Sequence, residues 1–195
     1  MHFFKKELLI IILTVFVSTV LLWLPFGTGL EQFLGYQIPP GGMKTIWANY
    51  DGPNYLVIAK TWYQQSRIAR MFSLPLPLEY YPAHFPGYPL LIFILGKLFG
   101  FPQAMLLATL LTTTTAAIIF YSFLKKFFLS SNPLWLTIVF LFLPPRIFAV
   151  RSVGAPEMLF ITVLLASIYY FRQNKYFQAG FWAALFYAVS QPIIT

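Results

Sequence analysis

Long apolar stretches separated by polar segments dominate the pattern of the chain. The first, from Leu8 to Phe26, is long enough to cross the hydrocarbon core of a bilayer. After one long polar region, the pattern predicts further apolar helices at Leu90–Phe99, Met105–Phe123, Leu134–Val150, Met158–Phe171 and Phe177–Thr195. The sequence therefore predicts an all-α integral membrane protein, a polytopic bundle of transmembrane helices in which residues 1–195 form a single membrane domain and residues 87–195 supply the later membrane helices. Because the last segment stops in apolar sequence, we expect the chain to be the N-terminal part of a longer protein.

The polar region, residues 27–86, is predicted to be a long first external loop. Within it, residues 55–72 have helical periodicity, with apolar side chains such as Tyr55 on one face and polar ones such as Lys60 on another. This segment is too polar to cross a membrane, so the pattern predicts an amphipathic helix lying in the membrane interface. The prolines of Leu74–Tyr88 predict an irregular, extended chain.

Lysines at the ends of the apolar segments predict the orientation. Lys5 and Lys6 precede the first helix and favour a cytoplasmic N-terminus. The short Leu90–Phe99 segment either crosses the membrane or only dips into it. The second arrangement puts the lysine pair 125–126 inside and Glu157 outside, and the positive-inside rule favours it.

Composition supports a lipid environment and excludes several chemistries. The chain is 59% hydrophobic and 9% charged, whereas soluble domains carry about 25% charged residues. The net charge of +8 comes from bases scattered beside apolar runs, which is typical of topology anchors and not of nucleic-acid binding. There is no cysteine, which excludes disulfides and thiolate chemistry, and the two histidines exclude a histidine-rich metal site.

Asp51 is the first candidate for chemistry. It stands among aromatic residues, directly before Gly52-Pro53 and the amphipathic segment. A carboxylate held at the membrane surface could act as a general base for a hydroxyl acceptor, or bind a divalent cation together with a second acid. The alternative is structural, because Asp-Gly-Pro is favourable turn chemistry and Asp51 could cap the following helix.

Two further segments carry candidate residues. The aromatic and proline-rich segment 80–90 could stack on a sugar ring or guide a lipid tail, with His84 donating to a phosphate; alternatively, it is an interfacial aromatic belt. Glu157 lies among apolar segments, where an acid is costly and therefore a functional candidate. Arg146 and Arg151 could bind a lipid phosphate, or one of them could pair with Glu157 while the other extends towards the interface.

Three segments, in order and spacing, resemble the motifs of one mannosyltransferase family. Residues 50–59 (YDGPNYLVIA) are similar to its Trp-Asp-x-x-His-Tyr-Leu-x-Ile-Ala signature, residues 85–91 (FPGYPLL) to its Phe-Pro-Gly-Phe-Pro-Leu-Leu motif, and residues 155–160 (APEMLF) to its Tyr-Ser-Glu-x-Leu-Phe motif. Tyr50 stands where the family has tryptophan, and Asn54 where it has histidine. The family includes the enzyme that adds the second mannose in glycosylphosphatidylinositol assembly, and its prokaryotic relatives.

This resemblance implies a C-type glycosyltransferase, a multi-span enzyme that transfers a sugar from a polyprenyl-phosphate carrier on the outer or lumenal side of a membrane. It implies that Asp51 is the catalytic or acceptor-orienting acid and that Glu157 is a second acid on the same side. The implied partners are a polyprenyl- or dolichyl-phosphate sugar donor, a lipid or glycan acceptor, and membrane lipids. The membrane would be the cell membrane of a prokaryote or the endoplasmic reticulum of a eukaryote.

The chemistry of such a transfer suggests further contacts. It needs a base near the acceptor hydroxyl and a stabilised phosphate leaving group, for which basic side chains are available. The expected substrate-binding residues are Tyr50, Asn54, Tyr55, Lys60, Arg67, His84 and Arg151. A divalent cation held by Asp51 and Glu157 remains an open alternative.

Two other functions are compatible with the same sequence. A transporter or flippase of a lipid-linked saccharide would carry broken helices at matching positions of a repeat. Pro144-Pro145 interrupts one apolar segment, but no matching half is visible. A non-catalytic membrane subunit that binds another protein through its aromatic loop would need neither Asp51 nor Glu157.

Overall fold

The computed structural model describes residues 2–73 and 76–189, with side chains from Lys5 onward. This part of the chain is mostly helical. Its α-helices are α1 His2–Thr28, α2 Met43–Trp47, α3 Gly52–Thr61, α4 Gln65–Met71, α5 Gly87–Phe99, α6 Phe101–Lys126, α7 Pro133–Phe142, α8 Pro145–Val150, α9 Glu157–Phe171 and α10 Tyr176–Tyr187. A 3₁₀ helix spans Leu78–Ala83, and a small antiparallel hairpin pairs β1 Gln32–Phe33 with β2 Tyr36–Gln37. The prediction of an all-α chain is confirmed.

Helix α6 is the centre of the packing and contacts α1, α3, α5, α7 and α9. It begins after Gly100, whose φ of 79° ends α5, and carries Pro102 in its first turn, where no helical N–H is needed. The hydroxyls of its threonine run, 112–115, donate to backbone carbonyls one turn earlier. Thr162 Oγ1 of α9 donates to the Thr112 carbonyl at 3.0 Å, which joins the two helices.

Helices α1 and α6 run antiparallel. At one end, Lys125 Nζ donates to Glu7 Oε2 at 2.8 Å, and the Tyr121 hydroxyl donates to the same carboxylate oxygen. Towards the other end, Trp23 of α1 and Gln103 of α6 line one groove. The cluster of Glu7, Tyr121 and Lys125 therefore ties the start of α1 to the end of α6.

Within the described residues, two helices are long and apolar enough to cross a membrane: α1, from Lys5 to Thr28, and α6. Both were predicted, and the structure extends each by a few residues at its ends. Three further apolar helices, α5, α7 and α9, are shorter than a full span. The apolar pattern thus predicted where helices occur better than how long they are.

The continuous amphipathic helix predicted for residues 55–72 is two helices in the structure. Trp62 and Tyr63 both have left-handed backbone conformations, with φ of 50° and 62°, and separate α3 from α4. Long-range contacts hold this break, because the Trp62 ring packs against Phe93 and the Tyr63 hydroxyl donates to the His84 carbonyl at 2.7 Å. Most of α3 is buried against α5 and α6, so it does not lie on the surface of the bundle.

Two later segments also differ from their predicted bounds. The apolar run Leu134–Val150 is divided into α7 and α8, because Pro144 lacks the N–H that would continue a helix. The last predicted helix is observed as α10, which ends at Tyr187. Residues 190–195 of that segment, and Leu74 and Pro75 of the loop, lie outside the described residues.

Candidate functional site

A cleft of about 250 Å³ lies between the start of α3 and the α8–α9 connection. It brings together two segments that are about 100 residues apart in the sequence. Its lining residues are Tyr50, Asp51, Tyr55, Arg146, Gly154, Ala155, Pro156, Glu157, Phe160 and Val189. Both acids singled out from the sequence, Asp51 and Glu157, therefore line the same cavity.

The Asp51 carboxylate is not used to cap α3. Asp51 occupies the N-cap position, but only its backbone carbonyl accepts from Asn54 N at 2.9 Å and Tyr55 N at 3.2 Å. Its side chain makes no capping hydrogen bond, and Oδ1 accepts from Asn54 Nδ2 at 3.4 Å. The turn explanation accounts for the backbone of Asp51, while the carboxylate stays available to the cleft.

Glu157 is the first residue of α9 and pairs with Arg146. Arg146 Nη2 lies 3.4 Å from Glu157 Oε1, with 71% of the arginine side chain and 33% of the glutamate side chain exposed. The second carboxylate oxygen, Oε2, is buried and has no hydrogen-bond partner in the described part of the chain. A buried carboxylate oxygen without a donor is costly, so this atom has an unused capacity to accept a hydrogen bond.

Tyr55 forms the inner wall of the cleft. Its ring is buried and packs edge-on against the His84 ring, 5.2 Å away, and the Tyr88 ring, 5.1 Å away. Burial, followed by the charges of Asp51 and Glu157, raises the pKa of the Tyr55 hydroxyl, so this group stays protonated. His84 lies behind this wall, where burial lowers its pKa and favours the neutral imidazole.

The wall that carries Glu157 is fixed to two helices. Trp23 Nε1 of α1 donates to the Ser152 carbonyl at 2.7 Å. Thr109 Oγ1 of α6 donates to the Val153 carbonyl at 2.8 Å and also bonds the buried Tyr88 hydroxyl at 2.6 Å. These hydrogen bonds set the approach of the α8–α9 connection to the bundle.

Gly154 lies on this wall, directly against Met105 of α6. A Cβ atom built on Gly154 would lie 2.3 Å from Met105 Sδ and 2.8 Å from Met105 Cγ. Gly154→Ala is therefore expected to destabilise the fold by about 1–3 kcal/mol, because Met105 is fully buried and has little room to move. The thermal unfolding midpoint of the purified protein in detergent measures this effect.

A second variant isolates the Met105 contact. In a Met105→Ala background, Gly154→Ala should cost far less, since the clashing atoms are gone. Gly180→Ala is the control for an added methyl group without a clash, because Gly180 has no atoms within 4 Å of its built Cβ; inside α10 it is expected to stabilise the fold by up to about 1 kcal/mol. If Gly154→Ala lowers the unfolding midpoint equally in both backgrounds, then contact with Met105 is not the reason that residue 154 is a glycine.

Several residues expected to bind substrate do not line the cleft. Lys60 Nζ lies 5.2 Å from the centroid of the Phe101 ring and 5.8 Å from that of Phe72, on another side of α3. Arg67, on α4, and His84 are also absent from the lining. Of the residues predicted to contact substrate, Tyr50 and Tyr55 line the cleft, and Asn54 reaches it through Asp51.

Arg151 was expected to bind a phosphate, but it does not line the cleft. It is completely buried, with 0% of its surface exposed, and faces the middle of α1. Its guanidinium donates to Ser18 Oγ at 3.0 Å and Thr19 Oγ1 at 3.2 Å, and it lies over the Phe142 and Phe148 rings. The positively charged residue that lines the cleft is instead Arg146. The sequence indicated Arg146 and Arg151 together as candidate phosphate-binding residues.

The cleft does not contain an obvious cation-binding set. Among the side chains described, those of residues 5–73 and 76–189, no three from His, Cys, Asp or Glu come together. Asp51 and Glu157 alone would supply protein ligands, and Glu157 already pairs with Arg146. We therefore derive no chemical step through a divalent cation.

Comparisons with family models, curated proteins and solved structures found no match to this chain. The resemblance to the mannosyltransferase motifs therefore stays a prediction that rests on the three segments themselves. The cleft is a separate observation that does not depend on the resemblance. Two of the three segments, 50–59 and 155–160, supply most of its lining.

Proposed function

We propose that this protein is a polytopic membrane glycosyltransferase that moves a sugar, with mannose as the favoured candidate, from a polyprenyl-phosphate carrier to an acceptor outside the cytoplasm. The observation that carries the proposal is the cleft, in which Asp51, Glu157 and Arg146 meet beside two tyrosines. This set suits a reaction that removes a proton from a hydroxyl and releases a phosphate. A carboxylate can accept the proton, and the positively charged Arg146 can stabilise the phosphate.

The distribution of charge supports an extracytoplasmic cleft. The ion pair of Glu7 and Lys125 joins the ends of α1 and α6 that also carry the chain's four clustered lysines, Lys5, Lys6, Lys125 and Lys126. The cleft adjoins the opposite end of α1, where Trp23 bonds Ser152. Because lysines favour the cytoplasmic face, this arrangement supports a position of Asp51 and Glu157 on the other side, where sugars would reach an enzyme on lipid carriers.

The three charged residues of the cleft each have a role in the proposed transfer. The acceptor hydroxyl oxygen attacks the anomeric carbon, the bond from that carbon to the phosphate oxygen breaks, and polyprenyl phosphate leaves. Asp51 takes the hydroxyl proton, while Glu157 Oε2 accepts a hydrogen bond that orients the acceptor. Arg146 is mostly exposed and only loosely paired, so it can turn to the leaving phosphate and stabilise its charge.

Asp51→Asn is expected to lower transfer by about 10²- to 10⁴-fold, because an amide cannot take the proton. The assay uses membranes from a host expressing the complete gene and follows radiolabel from polyprenyl-phosphate mannose into the acceptor fraction. Protein levels are matched by immunoblotting, so that a loss of expression is not read as a loss of catalysis.

Glu79→Gln is the matched control for the removal of one negative charge. Glu79 is exposed in the same loop region but does not line the cleft, so its variant should transfer sugar at the native rate. Equal rates for native protein and Asp51→Asn would remove Asp51 from the mechanism. If mannose is not transferred by the native protein either, the panel is repeated with other polyprenyl-phosphate sugars, and failure with all of them would refute the proposal.

A further inference from the structure

The hairpin that follows α1 has an unusual turn. Its two central residues, Leu34 and Gly35, have φ of 50° and 83°, the left-handed conformations of a type I′ turn. Asn-Gly and Gly-Gly are the favoured pairs for such a turn. Leucine is disfavoured in the left-handed region because its Cβ crowds the backbone, so local conformation alone does not account for Leu34.

Solvation disfavours the same residue. Leu34 is 81% exposed and Tyr36 is 77% exposed, although both have large side chains with apolar surface. Residues held in unfavourable backbone conformations cluster at functional sites, so the exposed Leu34 suggests that this tip has a role beyond folding. Segment 29–42 contains one charged residue, Glu31, which argues against an ionic partner.

The hairpin is fixed to the end of α1. Leu30 N donates to the Pro25 carbonyl in the last turn of α1 at 3.0 Å, and Ile38 N donates to the Glu31 carbonyl at 2.9 Å across the base of the hairpin. α1 itself exposes apolar side chains, including Val17 and Leu21. If α1 crosses the bilayer, the hairpin is held at the level of the outer headgroups, which is where tyrosine side chains are enriched.

We propose that the hairpin tip, formed by Leu34 and Tyr36, inserts into the headgroup layer of the outer leaflet beside α1. The lipid surface is the natural cover because the tip continues the exposed apolar surface of a bilayer-length helix. The inference rests on the proposed membrane position of α1 but not on glycosyl transfer. Its role would be to hold the start of the external loop, and hence Tyr50 and Asp51, at the height where a lipid-linked substrate arrives.

The absence of cysteine from the sequence allows a clean test. Single-cysteine variants Leu34→Cys, Tyr36→Cys, Gln37→Cys and Val17→Cys are labelled with an environment-sensitive fluorophore. Each is reconstituted in phosphatidylcholine–phosphatidylglycerol vesicles that contain a nitroxide on the headgroup or at mid-chain. We expect headgroup nitroxide to remove most of the fluorescence at positions 34 and 36, and mid-chain nitroxide to do so at position 17. Aqueous iodide should quench Gln37→Cys several-fold more than Leu34→Cys, because residue 37 is farther from the tip.

Each other outcome overturns the inference in a distinguishable way. If position 17 is quenched from mid-chain while iodide reaches position 34 freely, α1 is in the membrane but the hairpin is not. If position 34 is shielded from both iodide and nitroxide lipids, protein covers it instead of lipid. If position 17 is not quenched by lipid nitroxides, the membrane position of α1 fails together with the inference.

Discussion

Combining Asp51→Asn with Glu157→Gln is expected to lower sugar transfer about as much as the more damaging single substitution does. Each single change should reduce the rate by about 10²- to 10⁴-fold if both carboxylates act on one transition state. Groups that act as a unit are strongly non-additive, because the second loss removes an interaction that the first has already disabled. The shared cleft is the structural reason to expect this behaviour.

The measurement is the initial rate of transfer for native protein, both single variants and the double variant, at matched protein levels. A double variant of Glu31 and Glu79, both changed to Gln, removes two exposed acids outside the cleft and should keep the native rate. A double-variant rate that shows the two single losses multiplied together would mean that Asp51 and Glu157 contribute independently and do not act as a unit.

Arg151→Glu is expected to prevent the protein from folding. The guanidinium is fully buried, and within the described residues neither ion pair includes it. Glutamate would put a negative charge beside two phenylalanine rings, with two hydroxyls as its nearest partners. Leaving a buried charge without its partner typically lowers the free energy of unfolding by about 3–5 kcal/mol. A buried glutamate without a positively charged partner should cost at least as much.

Arg151→Met separates the effect of charge from that of volume. Methionine fills much of the same space and avoids the desolvation of an unpaired charge, so this variant should stay folded. Arg151→Ala should fall between the two, because it leaves a cavity. The readout is the yield of monodisperse protein after detergent extraction, with Arg70→Glu as the exposed control on α4. A Met variant as unstable as the Glu variant would show that the buried charge itself is required.

The sequence predicted the two long helices because their signal is local. Runs of apolar residues identify α1 and α6 without any knowledge of their neighbours. The break at Trp62 and Tyr63 was not predictable in this way, since the contacts that hold it involve Phe93 and His84, which lie far along the chain. Periodicity continues across residues 55–72 although the helix does not.

The candidate site shows the same division. Asp51 and Glu157 were identified by unusual residue types in apolar surroundings, and the structure brings them together. The sequence could not show which of Arg146 and Arg151 lines the cleft. Five residues of helix turn a side chain to a direction about 140° away, so one of the two faces the cleft and the other faces α1. Which one does so depends on how α8 packs.

The wide separation of the two halves of the cleft has a consequence for biosynthesis. Asp51 and Glu157 are 157 − 51 = 106 residues apart. At about 5–20 residues per second, a ribosome needs roughly 5–20 s to make the intervening chain. During that interval the residues of α3 have been synthesised, but the wall that carries Glu157 does not yet exist. Under the proposed mechanism, the growing chain cannot transfer sugar until α9 emerges and docks, so a nascent protein stalled before that point would carry Asp51 without the opposite wall of the cleft.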